Sequence, residues 1–463
     1  MYSIKFGTDG WRAIIAKEYT VDNVRRIASG TLAWLKSKNY SKVVIGYDCR
    51  FGGRMFLEEI AIILAQDNIQ CFVSKDFVST PMVSLGVINH KADLGIVITA
   101  SHNPPSYNGY KLKSSFGGPS TPIEIAEVES FIPNGIPEIK SSFLELVDKN
   151  KIQFVDLEKE YINHIQSSFE LEKIKSKIQI AYDGMYGAGQ RAMMILFPDM
   201  KTFHCEYNPG FDHTPPEPIL KNLSEIQHYL KSNPGKYIGI ANDGDADRLA
   251  MLDDQGNMVD SQHLLLLLLH YLAGYKKQTG KIVVSFSVTN KMKRLADHYG
   301  LELIITKIGF KYIAEYMIAE DVLVGGEESG GLAIKGHIPE RDGIWIAITI
   351  LEFMSVTGKS INELIAEVYS LVGPFQYDRL DLHLTETQIE HVKQKLNSQI
   401  TSWSSFRVLN TEKIDGAKYY FENDSWLLIR TSGTEPVLRI YAQGRDNAEV
   451  IEILNAARKV LNV

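Results

Sequence analysis

The residues best suited to chemistry begin with a serine in the segment Thr99-Ala-Ser-His-Asn-Pro-Pro-Ser-Tyr-Asn-Gly-Tyr-Lys111. Ser101 follows the apolar run Leu94–Ile98, which predicts a buried strand. A serine just past such a strand opens onto the ligand crevice of an α/β sheet and can act as a nucleophile. The adjacent His102 could orient a phosphate, and Lys111 could return across the loop as a base or a charge partner. An ordinary Pro/Asn/Gly turn with an incidental serine is the alternative interpretation.

Three aspartates at alternate positions form a second candidate site, in Asn242-Asp-Gly-Asp-Ala-Asp-Arg248. Asp243, Asp245 and Asp247 place hard oxygen ligands around one point, which suits Mg²⁺ or Ca²⁺. An EF-hand loop is excluded because the glycine that it requires is replaced by Arg248, and because both flanks resemble strands. A solvated acidic turn is the alternative, although three such carboxylates repel one another without a cation.

A glycine-rich segment, Gly325-Gly-Glu-Glu-Ser-Gly-Gly331, holds two carboxylates and a hydroxyl. The side chains of Glu327, Glu328 and Ser329 suit sugar hydroxyl groups, which need hydrogen-bond partners at fixed positions. The same composition also fits an acidic turn that binds no ligand.

A fourth segment, Arg430-Thr-Ser-Gly-Thr-Glu-Pro-Val-Leu-Arg439, combines hydroxyl groups and a glycine with an arginine at each end. This composition indicates a phosphate-binding loop, in which backbone amides and guanidinium groups surround an anion. It is not a Walker loop, because G-x-x-x-x-G-K-[ST] is absent. Near the N-terminus, Phe6-Gly-Thr-Asp-Gly-Trp-Arg12 offers Arg12 as a further phosphate ligand. Either segment could instead be an ordinary turn.

One chain therefore contains candidates for a nucleophile, a divalent-metal site, a set of sugar ligands and a separate phosphate-binding loop. A simple phosphate-ester hydrolase needs no second phosphate-binding loop. An enzyme that moves a phosphoryl group between two ends of a sugar needs both sites. The combination therefore favours phosphoryl transfer within a sugar phosphate over simple hydrolysis.

Three segments that precede these loops begin alike, namely Lys42–Asp48, Lys177–Asp183 and Lys281–Ser287. Each starts with lysine and continues with apolar residues, which predicts strands buried in a parallel sheet, and the first two are followed by helical-period segments. The C-terminal part has shorter alternating strands, with helices predicted at 385–400 and 447–460. We predict three related α/β domains and an α+β domain, at residues 1–145, 146–255, 256–373 and 374–463, with the linker to the last domain inside 358–373.

Composition excludes several classes of protein. The chain has 463 residues, a net charge of −7 and three cysteines without metal-ligand spacing. No basic segment supports a nucleic-acid partner, and the cysteine usage predicts a reducing, cytoplasmic compartment. We expect no targeting segment and no membrane partner. The six leucines at 264–269 are too few to span a membrane and predict a buried helix.

The order of FGTDGWRA, TASHNPPSYNGYK, NDGDADR, GGEESGG and RTSGTEP resembles the α-D-phosphohexomutase family, which includes phosphoglucomutases and phosphomannomutases. The resemblance implies a four-domain, heart-shaped α/β fold with three related α/β domains and a smaller α+β C-terminal domain. It also implies an isomerase of carbohydrate metabolism whose partners are small-molecule hexose phosphates. The oligomeric state is left as a monomer or a small homo-oligomer.

Roles for individual residues follow from the same resemblance. It implies that Ser101 carries the phosphate as phosphoserine and binds one Mg²⁺ together with Asp243, Asp245 and Asp247. Lys111 matches the lysine proposed as general base in the family. The other implied positions are Arg12 and Arg248 as active-site arginines, Glu327 and Ser329 at the sugar hydroxyls, Lys307 and Gly309 in a further substrate loop, and Arg430, Ser432, Gly433 and Thr434 at the phosphate that is not transferred.

The implied reaction passes through a hexose 1,6-bisphosphate, which also serves as activator. The phosphoserine gives its phosphoryl group to a bound sugar monophosphate. The bisphosphate then turns end for end while bound, and its other phosphate returns to Ser101. Because this turn requires the phosphate-binding domain to loosen, we expect the C-terminal domain to move.

The identity of the sugar is less constrained. Gly331 stands where some bifunctional members of the family have a histidine, and His337 is not assumed to replace that histidine. The Glu-Glu-Ser form favours glucose, with mannose or both sugars as the alternative. The Arg-Thr-Ser form fits hexose members better than glucosamine members. From another functional class, a catalytically inactive sugar-phosphate-binding protein would require a missing catalytic group.

Overall fold

The computed structural model describes residues 2–7, 10–431 and 437–463. Four main β-sheets follow one another along the chain. The first three combine parallel strands with antiparallel strands at one edge, whereas the fourth is antiparallel throughout. Three α/β units followed by an α+β unit confirm the predicted fold class.

The first unit contains six strands and five helices. Its elements are β1 (Trp11–Ile14), α1 (Val21–Ser37), β2 (Lys42–Tyr47), α2 (Gly53–Ala65), β3 (Gln70–Ser74), α3 (Thr80–Asn89), β4 (Leu94–Ile98), β5 (Tyr107–Ser114), α4 (Pro122–Ser130), α5 (Phe143–Asp148) and β6 (Ile152–Val155). The sheet order is β1-β5-β4-β2-β3-β6, and the serine loop joins β4 to β5. Because β6 pairs with β3, this sheet continues past residue 145, where the sequence suggests a boundary.

The second unit contains five strands and four helices. Its elements are α6 (Leu157–Ser168), α7 (Leu171–Lys175), β7 (Ile180–Asp183), α8 (Gln190–Leu196), β8 (Lys201–Phe203), α9 (Ser224–Ser232), β9 (Ile238–Asn242), β10 (Leu249–Leu252) and β11 (Met258–Val259). The sheet order is β11-β10-β9-β7-β8. The three aspartates occupy the turn between the antiparallel strands β9 and β10, which both consist of buried residues.

The third unit carries the sugar-loop segment directly after one of its central strands. Its elements are α10 (Ser261–Leu269), β12 (Lys281–Ser285), α11 (Lys291–His298), β13 (Leu303–Thr306), α12 (Phe310–Ala319), β14 (Val322–Gly326), β15 (Leu332–Ile334), α13 (Gly343–Thr357) and α14 (Ile361–Val372). The sheet order is β13-β12-β14-β15. The six leucines lie on α10 and are buried, as predicted.

Helix α14 occupies most of the range 358–373, inside which the linker to the last domain is predicted, and leaves only the ends of that range for a connection. Ser360 begins the helix with a capping box completed by Glu363. The helix then buries an apolar face that includes Leu364 and Val368. Helical periodicity and a capping signal were both present in the sequence, so the glycines at either end delimit a helix and do not mark a linker.

In the described residues of the fourth unit there are seven strands and two α-helices. Its elements are β16 (Gln376–His383), α15 (Glu386–Asn397), β17 (Ser402–Trp403), β18 (Phe406–Arg407), β19 (Asn410–Glu412), β20 (Ala417–Tyr420), β21 (Trp426–Thr431), β22 (Val437–Gly444) and α16 (Asn447–Leu461). The main sheet has the order β16-β22-β21-β20-β19. The two helices confirm those predicted at 385–400 and 447–460.

The packing divides the molecule unequally. One apolar core runs through the first three units, with members such as Val97, Leu267 and Ile344. The fourth unit has its own core, and a small cluster around Phe286 and Trp426 packs between the third and fourth units. The first three units therefore share buried apolar area that the fourth unit does not.

Among the residues that the structure describes, no single helix is long and apolar enough to cross a membrane. Helices α13 and α14 meet that test only when taken together, and an angle of 87° separates them. Most residues of α13 are buried against the rest of the protein.

Candidate active site

Ser101 lies just beyond β4 with its backbone in the left-handed region, at φ +52°. Its amide donates to Thr99 Oγ1 at 2.8 Å, and its hydroxyl donates to Asp243 Oδ2 at 2.6 Å. Only 1% of the residue is exposed. A non-glycine residue keeps such a conformation only where its surroundings hold it, so the predicted nucleophile is fixed in direction towards the aspartate turn.

Arg50 holds the serine loop and was missed by the sequence analysis. Its guanidinium donates to the carbonyl oxygens of four loop residues at 2.6–3.0 Å, namely Ser101, Asn103, Pro104 and Tyr107. Asp48 lies 3.4 Å from Arg50 Nε. Burial raises the pKa of Asp48 to about 6, although Arg50 opposes that shift. The available signal was an arginine directly after a predicted strand, but its burial could not be inferred from the sequence.

Asp243, Asp245 and Asp247 are buried in the turn between β9 and β10. One carboxylate oxygen from each lies within 4.8 Å of the others, and the described part of the chain contains no other such cluster. Burial, and then the two neighbouring carboxylates, raises the pKa of Asp243 well above its usual range. Oδ1 of Asp247 is buried and accepts no hydrogen bond from the described residues. This donor set fits a hard divalent cation such as Mg²⁺.

Lys111 reaches the same turn from β5. Its Nζ lies 2.8 Å from Asp245 Oδ2 and 3.1 Å from Asp247 Oδ2, and its side chain is fully buried. Thr80 Oγ1 also donates to Asp245 Oδ2, at 2.6 Å. These contacts are those of a charge partner, one of the two roles that the sequence left open for Lys111. They also join the first unit to the second.

Three further predicted residues surround the serine. His102 Nδ1 lies 3.3 Å from Ser101 Oγ, and burial, then the nearby arginines and lysine, lowers the pKa of His102 well below its usual value. Arg12 Nη1 donates to Asn103 Oδ1 at 2.6 Å. Arg248 approaches the aspartate turn, with its Nε 4.0 Å from the nearest carboxylate oxygen. A neutral imidazole between cationic side chains suits an anionic group on the serine.

Arg341 also belongs to this centre and was missed from the sequence. Its Nη2 lies 2.7 Å from Asp247 Oδ2, and its Nε lies 3.6 Å from Glu340 Oε1. Glu340 in turn accepts a hydrogen bond from Lys113 Nζ at 2.6 Å. A Cβ on Gly331 would lie 2.4 Å from Arg341 Cδ. Arg341 thus fills the space that a side chain at position 331 would need, which explains the glycine in the sugar loop.

His337 takes no place in this centre. Its Nε2 lies 2.8 Å from Asp342 Oδ2, and its ring stacks on Trp345 with 3.8 Å between centroids. Asp342 also begins helix α13 by accepting a hydrogen bond from the Trp345 amide. His337 is therefore part of the packing around the start of α13.

Glu327 follows β14 and is 6% exposed. Its Oε1 accepts from the Gly309 amide at 2.8 Å, which brings the predicted substrate loop against the sugar loop. Burial, and then the neighbouring Glu328, raises the pKa of Glu327 to about 7 against the effect of two nearby arginines. Ser329 is half-buried in the same loop, and Lys307 is exposed two residues before Gly309.

Arg430 lies near the end of β21, and its Nε is 3.1 Å from Asp415 Oδ1. The other oxygen of that carboxylate accepts from the Ile308 amide at 3.0 Å. The predicted phosphate arginine is thereby connected to the substrate loop of the third unit. The remaining predicted phosphate ligands, Ser432, Gly433 and Thr434, lie outside the described residues.

Comparisons with known proteins cover almost the whole chain. Family models described as phosphoglucomutase/phosphomannomutase, alpha/beta/alpha domains I, II and III match residues 3–137, 159–256 and 260–372, and that of the C-terminal domain matches 389–460. A phosphoglucomutase/phosphomannomutase of Thermococcus kodakarensis is 29% identical over 465 residues, covering 98% of each chain. A phosphoglucosamine mutase of Methanococcus vannielii is 30% identical over 471 residues, covering 99% of this chain and 98% of the relative.

Among solved structures, a Thermus thermophilus protein assigned as a phosphomannomutase matches with a TM-score of 0.87 and 30% identity, over 100% of both chains. These similar proteins differ in the sugar for which they are named, namely glucose or mannose, glucosamine, and mannose. The predicted preference for glucose is therefore not confirmed and stays a prediction.

Proposed function

The chain belongs to the phosphoglucomutase/phosphomannomutase family, and from this membership we propose that it interconverts hexose 1-phosphates and hexose 6-phosphates through a phosphoserine at Ser101. Members of the family are mutases, isomerases that move a phosphate group within the substrate. Membership confirms the resemblance drawn from the five sequence segments. The observation that carries the proposed mechanism is the contact of Ser101 Oγ with Asp243 Oδ2 at 2.6 Å inside the buried aspartate turn.

This contact would be repulsive once the serine carries a phosphate, because an anion would then face three carboxylates. A cation between them removes the repulsion. Asp243, Asp245 and Asp247 would hold Mg²⁺ together with a phosphate oxygen on Ser101. When bound, the ion supplies positive charge that stabilises the phosphoryl group during transfer. Arg12 and Arg248 add fixed positive charge on the protein side.

In the first half-reaction, the free hydroxyl oxygen of the sugar bonds to phosphorus while the bond from phosphorus to Ser101 Oγ breaks, and the serine oxygen leaves as the hydroxyl by taking up the proton that Lys111 relays from the sugar. Lys111, as the neutral amine, would take the proton of that hydroxyl. The ammonium so formed lies against Asp245 and Asp247, which stabilise it. His102, held neutral, would orient the phosphate and would not compete for the proton.

In the second half-reaction, Ser101 Oγ bonds to the other phosphate of the hexose 1,6-bisphosphate. The bond from that phosphorus to the sugar oxygen breaks, and the proton of the Ser101 hydroxyl, relayed by Lys111, passes to the sugar oxygen. Between the two steps the bisphosphate must turn end for end. We therefore propose that the C-terminal domain moves during turnover, which is supported by its separate apolar core.

Substrate recognition would use the third and fourth units. Glu327 and Ser329 would contact the sugar hydroxyls, and the hydrogen bond from the Gly309 amide to Glu327 supports a shared sugar site. The proposed ligands of the untransferred phosphate are Arg430, Ser432, Gly433 and Thr434. Lys307 would lie near the substrate in a separate loop.

Glucose is the proposed sugar, on the basis of the Glu-Glu-Ser loop. Glucosamine is a second candidate, because a relative 30% identical over 99% of this chain is named a phosphoglucosamine mutase. Mannose is a third, and the named relatives include that sugar too. We also propose a cytoplasmic location, which three unpaired cysteines support.

The deciding experiment measures kcat/KM in parallel for glucose 1-phosphate, mannose 1-phosphate and glucosamine 1-phosphate, with Mg²⁺ and a catalytic amount of the matching bisphosphate. We expect turnover of at least one sugar and the highest value for glucose. A higher value for glucosamine would overturn the glucose assignment and leave the phosphoserine mechanism intact. Turnover of none of the three would favour an inactive sugar-phosphate-binding protein.

Intact-mass measurement tests the covalent step separately. Incubation with bisphosphate should add about 80 Da to the wild-type chain, the mass of one phosphoryl group. Ser101→Ala should show no added mass, whereas Ser106→Ala, an exposed serine of the same loop, should behave as wild type. Added mass on Ser101→Ala would overturn the assignment of Ser101.

A further inference from the structure

Asp415 occupies a turn between β19 and β20 that packs directly on the strand carrying Arg430. Gly416 in this turn has φ +86°, and a Cβ there would lie 2.4 Å from the Ile429 carbonyl oxygen and 3.1 Å from Arg430 Cβ. A side chain at position 416 would therefore push the turn away from the strand. The close packing holds the Asp415 carboxylate beside Arg430, with 3.1 Å between Oδ1 and Nε.

The second carboxylate oxygen of Asp415 contacts the third unit. It accepts a hydrogen bond from the Ile308 amide at 3.0 Å. The next amide along the chain, that of Gly309, donates to Glu327 Oε1 at 2.8 Å. A continuous set of contacts therefore runs from Arg430, through Asp415 and the 308–309 backbone, to Glu327.

From this geometry we propose that Asp415 is a positioning residue, which fixes the phosphate-binding Arg430 relative to the sugar-binding Glu327. The inference rests on the proposed function, because that assigns Arg430 and Glu327 to the two ends of the substrate. The carboxylate 3.1 Å from Nε restricts the position of the guanidinium through ion pairing. The same carboxylate ties the loop that contacts Glu327. One side chain thus links the protein groups that are proposed for the two ends of the substrate.

Asp415 is also suited to a link that must open and re-form. Its side chain is 23% exposed and that of Arg430 is 18% exposed, so water can replace both contacts when the domains separate. A fully buried pair would cost far more to break. The turning of a bisphosphate therefore requires only the loss of contacts between partly exposed side chains at this point.

Two substitutions separate the two contacts of Asp415. Asp415→Ala removes both, whereas Asp415→Asn keeps an oxygen that can accept from the Ile308 amide and loses the charge beside Arg430. We expect Asp415→Ala to raise KM for the preferred hexose 1-phosphate about tenfold with kcat changed less than about threefold. The effect of Asp415→Asn should be smaller. Glu390→Gln, an exposed carboxylate on α15 of the same domain, is the matched control.

Hydrogen exchange without substrate tests the link independently of catalysis. Amides in 305–310 should exchange faster in Asp415→Ala than in wild type, and Asp415→Asn should remain near wild type. If the exchange of 305–310 and KM in Asp415→Ala both match Glu390→Gln, Asp415 has no positioning role. A merely structural role would lower Tm without the KM change, and that result also overturns the proposal.

The failure of the proposed function is distinguishable from the failure of this inference. If Arg430→Ala leaves KM unchanged, Arg430 does not bind the substrate phosphate, and the assignment of the phosphate-binding end is wrong. Faster exchange of 305–310 in Asp415→Ala would still show that Asp415 holds the 308–309 backbone in place. Normal exchange in Asp415→Ala together with a raised KM in Arg430→Ala would overturn only the role of Asp415.

Discussion

The serine centre and the phosphate-binding end of this site are held in opposite ways. Around Ser101, four carbonyl oxygens of the loop accept from Arg50, and Lys111 is fully buried between two aspartates. At the other end, Arg430 is partly exposed and its ion pair with Asp415 sits on a domain boundary. The centre that would break bonds is thus fixed, and the end that would recognise the phosphate is adjustable.

This difference follows the division of the apolar core. The residues of the serine centre come from the units that share one core, whereas Arg430 belongs to the unit with a core of its own. Phosphoryl transfer needs fixed donors and a fixed nucleophile, because a small misplacement costs rate steeply. A bisphosphate that binds in two orientations must be released by the phosphate-binding residues of the fourth unit between the two steps. The rigid packing of the serine centre therefore suits phosphoryl transfer, and the separate packing of the fourth unit suits the turn of the bisphosphate.

Replacing the proposed nucleophile should cause the largest loss of activity at the serine centre. Ser101→Ala should lower kcat by at least about a thousandfold, because no other group can carry the phosphoryl intermediate. Steady-state assays with the preferred hexose 1-phosphate measure this loss, with Ser106→Ala as the control. Tm should change little. Mutase activity in Ser101→Ala within tenfold of wild type would contradict the phosphoserine mechanism.

Removing Arg430 should affect the adjustable end alone. Arg430→Ala should raise KM about a hundredfold with a much smaller fall in kcat, since charge-assisted bonds to a phosphate are lost from substrate and transition state alike. Initial-rate measurements across a wide substrate range give both constants. Arg407→Ala, an exposed arginine of the same domain, is the control. If kcat instead falls about a hundredfold while KM is unchanged, Arg430 acts at the transfer step.

Loosening the serine loop should show the opposite kinetic pattern. Arg50→Met should lower kcat about tenfold with KM nearly constant, because the loop loses its bonds to four carbonyl oxygens while the phosphate end is untouched. Arg54→Met, which removes an arginine paired with Glu58 on α2, is the control. Kinetics and hydrogen exchange of 101–107 should be measured together. Normal kcat with faster exchange would show that the loop need not be rigid.

The stability of the contact between the third and fourth units should depend on pH because of Lys418. Lys418 donates to the carbonyl oxygens of Phe286 and Val288 at 3.0 Å and lies 3.9 Å above the Trp426 ring. Burial lowers the pKa of Lys418 to about 7. A folded-state pKa below the unfolded value means that the charged form opposes folding. This cost is complete below about pH 7 and disappears as pH rises towards about 10.5.

Lys418→Met removes that titration. Relative to wild type, its free energy of unfolding should be larger at pH 6 than at pH 9 by at least about 1 kcal/mol, which means that the substitution stabilises the fold more at the lower pH. Denaturant unfolding at the two pH values measures the difference, and Lys413→Met provides an exposed control in the same domain. A difference from wild type that stays constant with pH would show that Lys418 does not titrate in this range.

The sequence identified the candidate site residues that lie within short segments. Ser101 and the three aspartates were identified because covalent spacing alone brings each set to the end of a predicted strand. The fold class followed from repeated strand and helix patterns, and both C-terminal helices were predicted. Helix α14, which occupies most of the range 358–373, was not predicted, although the sequence holds the capping signal of Ser360 and Glu363.

Tertiary structure alone decided which charged residues support the site. Arg50, Arg341 and Asp415 resemble ordinary surface charges in the sequence, and each makes its functional contact with a residue far away along the chain. Such contacts depend on how separate sheets pack against each other, which local spacing does not encode. The chain thus fixes the chemical groups within each loop. Burial and domain packing determine which groups meet, because both arise only when distant segments exclude water together.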